Sequence, residues 1–389
     1  MGLAVTSRIL LICAASGLLL CPRAFSASAQ SCAGGQFTAA NIVDLANAQP
    51  FSPESYAQCE LAGGDCSSLA PQPGGQSQYA QQIVTAINAA STDLKTDLCS
   101  LSHIYIDPNP QATMAWALRE FTTDGAGHRT YTGQHIGISA QLLAWLNNQL
   151  APFSAYETYI TNLLLLPSSQ SPQPAPPSSD TVSFVQNVKY SAPADNMTTA
   201  ILGILGHEMG HILFVENIKN QDNDQHPTRP VGLPCNAQGL KKRFHAYSWP
   251  DTGHPFGYHR FGDLDHQHRP IYYGNIEHIT AYLQTNDTEN ARNYLYQLYG
   301  GKEWASLFAT VAVDEDFVET YMLHQLQAGN VLSSFTVTIP PATAGNGEPN
   351  LPVDVMRGFA DSSSKLAQKA AWIDQCITRN ASAPGVRPR

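Results

Sequence analysis

Charged residues are scarce in this chain, and basic residues are the scarcer kind. Only 13% of the 389 residues are charged, and 21 Lys and Arg stand against 31 Asp and Glu, which gives a formal net charge of −10. A chain with this balance lacks the basic surface with which proteins bind nucleic acid or anionic lipid. We therefore expect neither nucleic acid nor an anionic membrane surface as a partner.

Long apolar runs and C-x-x-C pairs are missing as well. Beyond the N-terminus no apolar run approaches the ~20 residues of a membrane-spanning helix, so no stable membrane insertion of the mature chain is expected. The absence of C-x-x-C disfavours a cysteine zinc site and a thioredoxin-like redox motif. The hydrophobic fraction of 43% is still sufficient for a sizeable core.

The first 29 residues have the pattern of a signal peptide. Arg8 is followed by an apolar segment at residues 9–20, and Ala27-Ser28-Ala29 fits an A-x-A cleavage site. Cleavage there makes Gln30 the first residue of an exported chain, which would be periplasmic or extracellular. The alternative is a short membrane anchor, although the apolar segment is short for a bilayer.

Six cysteines remain after such cleavage. An even number in an exported chain predicts disulfides, with 15 pairings available if all six are bonded, and the alternative is that some stay as free buried thiols. Cys59 and Cys66 are close enough in sequence to pair with each other. The six residues are Cys32, Cys59, Cys66, Cys99, Cys235 and Cys376.

The order of patterns along the chain predicts an α+β fold with a small mixed sheet. Residues 30–80 are rich in Gly, Ser, Gln and Pro and are expected to form an irregular segment tied by a disulfide. Residues 81–378 are expected to form one metal-binding domain, which contains a Pro/Ser-rich loop at 168–180 and a His-rich insertion at 220–270. Residues 379–389 are expected to be a disordered tail.

Apolar periodicity predicts the individual elements of this domain. Alternating patterns predict strands at residues 103–107, 114–118, 135–139, 181–190 and 334–339. Helical spacing predicts helices at residues 80–98, 140–150, 156–166, 196–217, 275–298, 303–326 and 361–377.

The segment His207-Glu208-Met209-Gly210-His211 reads H-E-x-x-H inside an apolar predicted helix. Residues four apart share a helix face, so both imidazoles can reach one metal ion while Glu208 faces a water on that ion. Two histidines and a glutamate are costly inside an apolar helix without partners, and zinc is their natural partner. Glycines at positions 203, 206 and 210 leave room for another backbone or a substrate strand beside this helix.

A catalytic zinc requires a third protein ligand and an open fourth position. A metzincin would have glycine and histidine where this chain has Phe214 and Asn217, so that class is excluded. Glu315 and Glu319 lie one turn apart on a later predicted helix, where one can bind zinc while the other orients a zinc-bound histidine. The His-rich segment offers rival ligands, which are His254, His259, Asp263 and Asp265.

The two motifs together resemble those of the gluzincin metallopeptidases, in which a glutamate from a later helix joins H-E-x-x-H. Glu315-Asp316-Phe317-Val318-Glu319 is similar to the second motif of that family. The resemblance implies a zincin-like domain that holds one Zn²⁺ per chain through His207, His211 and Glu315, with Glu319 behind the ligands. It also implies that Glu208 is the general base and acid in the hydrolysis of a peptide or protein substrate.

The substrate contacts and the reaction class leave alternatives open. Tyr258, His259 and Tyr321 are candidates for contacts with the substrate or the developing oxyanion, and the sequence does not choose among them. The predicted strand at 181–190 is the candidate edge strand for aligning an extended peptide. The alternative function is a non-catalytic exported metal-binding protein, which would use the H-E-x-x-H helix together with the His-rich segment.

Overall fold

The structure is a computed structural model, and its described residues form an α+β fold. It describes residues 32–33, 36–46, 51–52, 55–56, 59, 66, 68–109, 114–123, 129–166, 178–217, 244–249, 275–343 and 345–381. Most of the predicted Pro/Ser-rich loop, most of the His-rich insertion and the end of the predicted tail lie outside these residues. The predicted coarse class is confirmed, because the described residues combine eleven α-helices with a small mixed sheet and a second, three-stranded sheet.

Ten strands form three sheets in the described part of the chain. The strands are β1 Cys32–Ala33, β2 Gln36–Phe37, β3 Ile42–Leu45, β4 Pro73–Gln76, β5 His103–Asp107, β6 Ala115–Thr123, β7 Arg129–Ser139, β8 Lys189–Ser191, β9 Thr336–Ile339 and β10 Leu351–Asp354. The main sheet has the order β4-β3-β5-β7-β6, with β3, β5 and β7 parallel and the two edge strands antiparallel to their neighbours. The second sheet has the order β10-β9-β8, and β1 pairs with β2.

The helices of the described residues pack mainly on one face of the main sheet. Alternation along β5 sends Ile104 and Ile106 into the large helical core and Tyr105 into a smaller cluster on the opposite face. The α-helices are Ala80–Ala89, Thr92–Leu98, Ala140–Asn147, Pro152–Leu165, Ser179–Gln186, Met197–Asn217, Asn275–Gln284, Thr288–Gly300, Val313–Ala328, Met356–Ala360 and Lys365–Ala381. Short 3₁₀ turns occur at Ala39–Asn41, Phe244–Tyr247 and Phe308–Thr310.

The predicted strand at residues 181–190 is wrong. The chain forms the helix Ser179–Gln186 there, and only Lys189–Ser191 is extended. Ser178 caps the helix by accepting a hydrogen bond from the Thr181 N–H at 3.2 Å. Apolar residues at 182, 184 and 188 suggested alternation, but the buried residues Thr181, Phe184 and Val185 follow helical spacing. Local capping therefore outweighed the weak alternating pattern.

Two predicted helices are each divided by a residue that caps a new helix. Residues 80–98 form two helices because Ala90 is extended and the Ser91 side chain accepts from the Leu94 N–H. Residues 275–298 also form two helices, since Asn286 has a φ of 59° and Asp287 accepts from the Asn290 N–H at 3.2 Å. Apolar periodicity continued through both caps and concealed them from the sequence pattern.

The predicted helix at 303–326 begins ten residues later than expected, at Val313. Ala312 is extended, and three acidic residues occupy the first turn of the helix, where the helix dipole favours negative charge. The residues before it form turns and the 3₁₀ segment Phe308–Thr310. Their apolar side chains are buried because they pack in the core, and this burial does not make the segment an α-helix.

The N-terminal segment at 30–80 is less irregular than predicted. Its strands β3 and β4 belong to the main sheet, and Ile42 is part of the large core. The predicted local disulfide is confirmed, with Cys59 bonded to Cys66. Cys99 and Cys376 are disulfide-bonded as well. These bonds fit an exported protein, because disulfides persist in oxidising compartments.

None of the helices in the described ranges has the length and apolar character that crossing a membrane requires.

Candidate metal centre

The H-E-x-x-H residues lie on the helix Met197–Asn217, hereafter the motif helix, which agrees with the predicted range of 196–217. Asn196 caps this helix by accepting a hydrogen bond from the Thr199 N–H at 3.2 Å. From Ala200 to Gly210 every residue is buried. Polar side chains in such surroundings need partners, so the contacts of His207, Glu208 and His211 decide what the site can do.

Gly206 and Gly210 of the motif helix face the helix Val313–Ala328, hereafter the glutamate helix. A Cβ atom added at Gly210 would lie 3.1 Å from the Val318 Cα, and one at Gly206 would lie 3.5 Å from the Met322 Cα. The two backbones therefore approach closely at Gly210. The glycines predicted a close neighbour of the motif helix, and that neighbour is the glutamate helix. This packing brings Glu315 and Glu319 to the motif histidines.

His207, His211 and Glu315 form a compact group of potential metal ligands, hereafter the ligand cluster. Their ligand atoms all lie within 4.8 Å of one another. His207 Nε2 is 3.7 Å from Glu315 Oε2, and His211 Nε2 is 3.7 Å from Glu315 Oε1. The imidazole rings have centroids 5.0 Å apart and are nearly perpendicular. These three residues could hold one metal ion.

The donor set and its spacing fit a tetrahedral ion such as Zn²⁺. Two ligand atoms at about 2.1 Å from such an ion are about 3.4 Å apart, and each histidine Nε2 lies 3.7 Å from a Glu315 oxygen, a few tenths of an ångström farther. Glu315 Oε2 is buried and has no hydrogen-bond partner in the described part of the chain, so a bound cation would satisfy it. The geometry is therefore compatible with a metal ion at this group of residues.

Glu319 contacts the back of the ligand cluster. Its Oε1 lies 2.7 Å from His207 Nδ1, and its side chain is almost fully buried. An Nδ1–H that donates to this carboxylate leaves the Nε2 lone pair directed to the ligand cluster. Phe308 stacks on the same imidazole with a centroid distance of 5.6 Å, which further fixes the ring.

The electrostatics of the site favour a bound cation. Burial raises the pKa of Glu315 well above its usual range, and burial has the same effect on Glu157, a neighbouring carboxyl. Burial by itself would lower the pKa of His207, but the hydrogen bond to Glu319 and the nearby carboxylates outweigh it and raise that pKa to about 10. This buried region thus holds more carboxyl groups than basic groups, and a divalent ion would stabilise the ionised form of the carboxyls.

Glu208 is the next residue after His207 and belongs to the same buried region. Its side chain is 7% exposed. Burial raises the pKa of Glu208 to about 7, while the positive charge of His207 opposes that shift. A carboxyl group in such surroundings can both accept and release a proton near neutral pH.

Sequence reasoning missed Tyr156 and Glu157, which interact electrostatically with the site from the helix Pro152–Leu165, hereafter the flanking helix. Glu157 is buried and interacts with Glu319 and His207, and Tyr156 interacts with Glu208 most strongly of its neighbours. Glu157 is the only charged residue of the flanking helix, which is otherwise apolar or neutral. That isolated charge in a buried helix was the available signal.

The other candidate residues from the sequence have different outcomes. Tyr321 is fully buried and donates a hydrogen bond to Asp97 Oδ2 at 2.6 Å, so its hydroxyl is occupied outside the ligand cluster. The remaining candidates for substrate contact or third ligand lie outside the described residues; they are Tyr258, His259, His254, Asp263 and Asp265.

Comparisons with known proteins do not assign this chain to a family. No protein-family model, no curated protein and no solved structure matches this chain.

Proposed function

We propose that this protein is an exported zinc metallopeptidase of the gluzincin type. The observation that supports the proposal most is the ligand cluster, in which Glu315 from a later helix lies 3.7 Å from both motif histidines. The fold is compatible with a zincin-like domain, because the motif helix packs beside a mixed sheet whose edge strand β6 is antiparallel to its neighbour. We assign peptide alignment to β6 in place of residues 181–190.

The reaction we propose is the hydrolysis of a peptide bond by water. A zinc ion held by His207, His211 and Glu315 would supply Lewis acidity for the carbonyl and lower the pKa of water. Glu208 accepts a proton from the attacking water as the water oxygen bonds to the carbonyl carbon. The carbon–nitrogen bond then breaks, and Glu208 delivers this proton to the leaving nitrogen. Glu319 holds His207 in the tautomer that the site requires.

The alternative is a non-catalytic metal-binding protein, and the exposure of the site favours catalysis over it. The His211 side chain is 28% exposed, whereas those of His207 and Glu315 are 10% and 9% exposed. Within the described residues the cluster has three ligand residues and no fourth. A structural zinc site is typically closed by four protein ligands, while a catalytic site keeps one position open.

We also propose that the chain is exported through a cleaved signal peptide of 29 residues. The Cys59–Cys66 disulfide supports an oxidising compartment. Sequencing the N-terminus of the exported protein should give Gln30 as its first residue. Retention of the first 29 residues in the exported product would contradict this assignment.

The substitution Glu208→Gln tests the proposed reaction. The purified exported chain should cleave an unfolded protein substrate, lose this activity to a chelator and regain it with Zn²⁺. The Glu208→Gln variant should keep its zinc, measured by atomic absorption, and lose activity by a factor on the order of 10² or more, because no other group replaces the base. Full activity in this variant would contradict the mechanism. A zinc content above one per chain without any peptidase activity would favour the metal-binding protein.

A further inference from the structure

The flanking helix is fixed against the motif helix at its first turn. The N–H groups of Phe153 and Ser154 donate to the Asp195 carboxylate at 2.8 and 2.7 Å, and Asp195 lies just before the motif helix. The Phe153 ring covers Gly203, where an added Cβ atom would be 2.7 Å from its Cε2. These contacts determine where the second turn of the flanking helix lies.

Tyr156 lies on that second turn and interacts electrostatically with the carboxyl groups of the site. Gly203 is one helical turn before His207, and Tyr156 follows Phe153 by about one turn of its own helix. Its charged neighbours are four carboxyl groups, of which Glu208 has the largest effect; the other three are Glu157, Glu319 and Glu315. Tyr156 therefore packs against the apolar core within electrostatic range of the proposed base.

The Tyr156 hydroxyl differs from those of three buried tyrosines of the described residues. Tyr190 and Tyr299 are hydrogen-bonded to each other at 2.7 Å, and Tyr321 is bonded to Asp97. Tyr156 is half-buried, and its hydroxyl has no hydrogen-bond partner among the residues that the structure describes. A half-buried polar group on a packed helix without a protein partner is available to a ligand.

The hydroxyl of Tyr156 remains a proton donor near neutral pH. Burial raises its pKa well above the usual value, and the negative charge of Glu208 raises it further. A neutral phenol donates a hydrogen bond to an oxygen that gains negative charge.

We propose that Tyr156 is a catalytic residue that donates a hydrogen bond to the carbonyl oxygen of the scissile peptide bond as negative charge develops there. This inference rests on the proposed peptidase function. It assigns the oxyanion contact to an upstream helix, whereas sequence reasoning looked for it at Tyr258, His259 and Tyr321. The interaction is stronger in the transition state than in the bound substrate, so it affects turnover more than binding.

The substitution Tyr156→Phe tests this role because it removes only the hydroxyl. We expect kcat to fall by roughly 10²-fold, the usual effect of losing one oxyanion donor, while KM changes by less than about twofold. Tyr159→Phe is the matched control, because Tyr159 is on the same helix but 44% exposed and packs beside Trp145. This control should keep the wild-type kcat.

A second measurement does not depend on turnover. Calorimetry should show that Tyr156→Phe binds a phosphinic peptide, which imitates the tetrahedral transition state, at least tenfold more weakly than the wild type. Zinc content and thermal unfolding should match the wild type, since the hydroxyl has no protein partner. Unchanged kcat and unchanged phosphinate affinity in Tyr156→Phe would overturn the proposal for Tyr156 alone. Absence of zinc-dependent activity in the wild type would instead overturn the proposed function.

Discussion

His207 has a separate contact for each of its two ring nitrogens. Nδ1 lies 2.7 Å from Glu319 Oε1, and Nε2 lies 3.7 Å from Glu315 Oε2. The first contact fixes the tautomer, and the second defines the side on which a metal would bind. Glu319 therefore supports metal binding without being a ligand.

Replacing Glu319 tests this supporting role. Glu319→Ala should weaken zinc binding by roughly 10- to 100-fold, the usual effect of losing a hydrogen-bond partner of a ligand histidine. Competition with a fluorescent chelator measures the affinity. Glu319→Gln is the control, because its amide oxygen can still accept from Nδ1, and its affinity should fall less. Equal zinc affinities in wild type and Glu319→Ala would contradict the role.

At the residue scale, the sequence predicted the ligand cluster and Glu319 but not Tyr156 and Glu157. The spacing of His207 and His211 and that of Glu315 and Glu319 each imply one shared helix face, so both pairs could be proposed without a structure. Tyr156 could not be proposed, because its place depends on the contact of Phe153 with Gly203. No local pattern in the sequence records such a contact between helices.

The contact between the motif helix and the glutamate helix sets the position of Glu315. Gly210 permits this contact, since an added Cβ atom would meet the Val318 Cα, Cγ2 and Cβ at 3.1 to 3.3 Å. The nearest of these atoms belongs to the backbone of a buried helix, which cannot rotate away as a side chain can. An added methyl group would separate the two helices at the site.

The substitution Gly210→Ala should weaken zinc binding on the order of tenfold, because a shift of a few tenths of an ångström displaces Glu315. Gly206→Ala is the matched control: its Cβ would lie 3.5 Å from the nearest atom, which is ordinary van der Waals contact. It should keep wild-type zinc affinity and equal or slightly higher stability, since alanine favours helix. Chelator competition and thermal unfolding measure both effects. Equal affinities in the two variants would contradict the account of helix packing.

At the element scale, sequence patterns located most helices and strands but not their ends. The motif helix was predicted closely because its apolar run is long and its cap lies at Asn196. A strand was predicted at residues 181–190 because a short apolar run fits both the strand period and the helix period. The chain forms a helix there, and Ser178 caps its first turn. The helix breaks at Ser91 and Asn286 depend on single residues inside continuous apolar patterns.

A buried ion pair joins the C-terminal helix Lys365–Ala381 to the glutamate helix. Lys369 Nζ lies 2.8 Å from Asp316 Oδ1, and both side chains are fully buried. Lys369 also donates to the Glu303 carbonyl at 2.7 Å and lies 4.4 Å from the Trp304 ring centroid. Trp249 donates to the other Asp316 oxygen at 3.1 Å. Four separate parts of the chain thus meet beside Glu315.

Lys369→Met should destabilise the fold by about 3–5 kcal/mol, because it leaves the Asp316 carboxylate buried without a counter-charge. Urea unfolding measures the change. The double variant Asp316→Asn/Lys369→Met removes both charges and should recover a large part of the loss. A free energy of unfolding equal to that of the wild type in Lys369→Met would show that this ion pair does not stabilise the fold.

At the scale of the whole molecule, the sequence predicted the fold class but not the connections across it. Lys369 is an ordinary polar position in an amphipathic pattern, and only the folded chain shows that it is fully buried. The participation of β3 and β4 in the main sheet was likewise missed, since residues 30–80 have the composition of a loop region. Long-range pairing of this kind leaves little trace in local sequence.

The zinc content of the purified exported chain tests the central claim most directly. Equilibrium dialysis against Zn²⁺ followed by atomic absorption should give one zinc per chain for the wild type and for Asp314→Ala, which alters the neighbouring carboxylate. Glu315→Ala should bind zinc at least 100-fold more weakly, because only two protein ligands remain. Zinc binding by Glu315→Ala at the wild-type level, or no zinc in the wild type, would contradict the account.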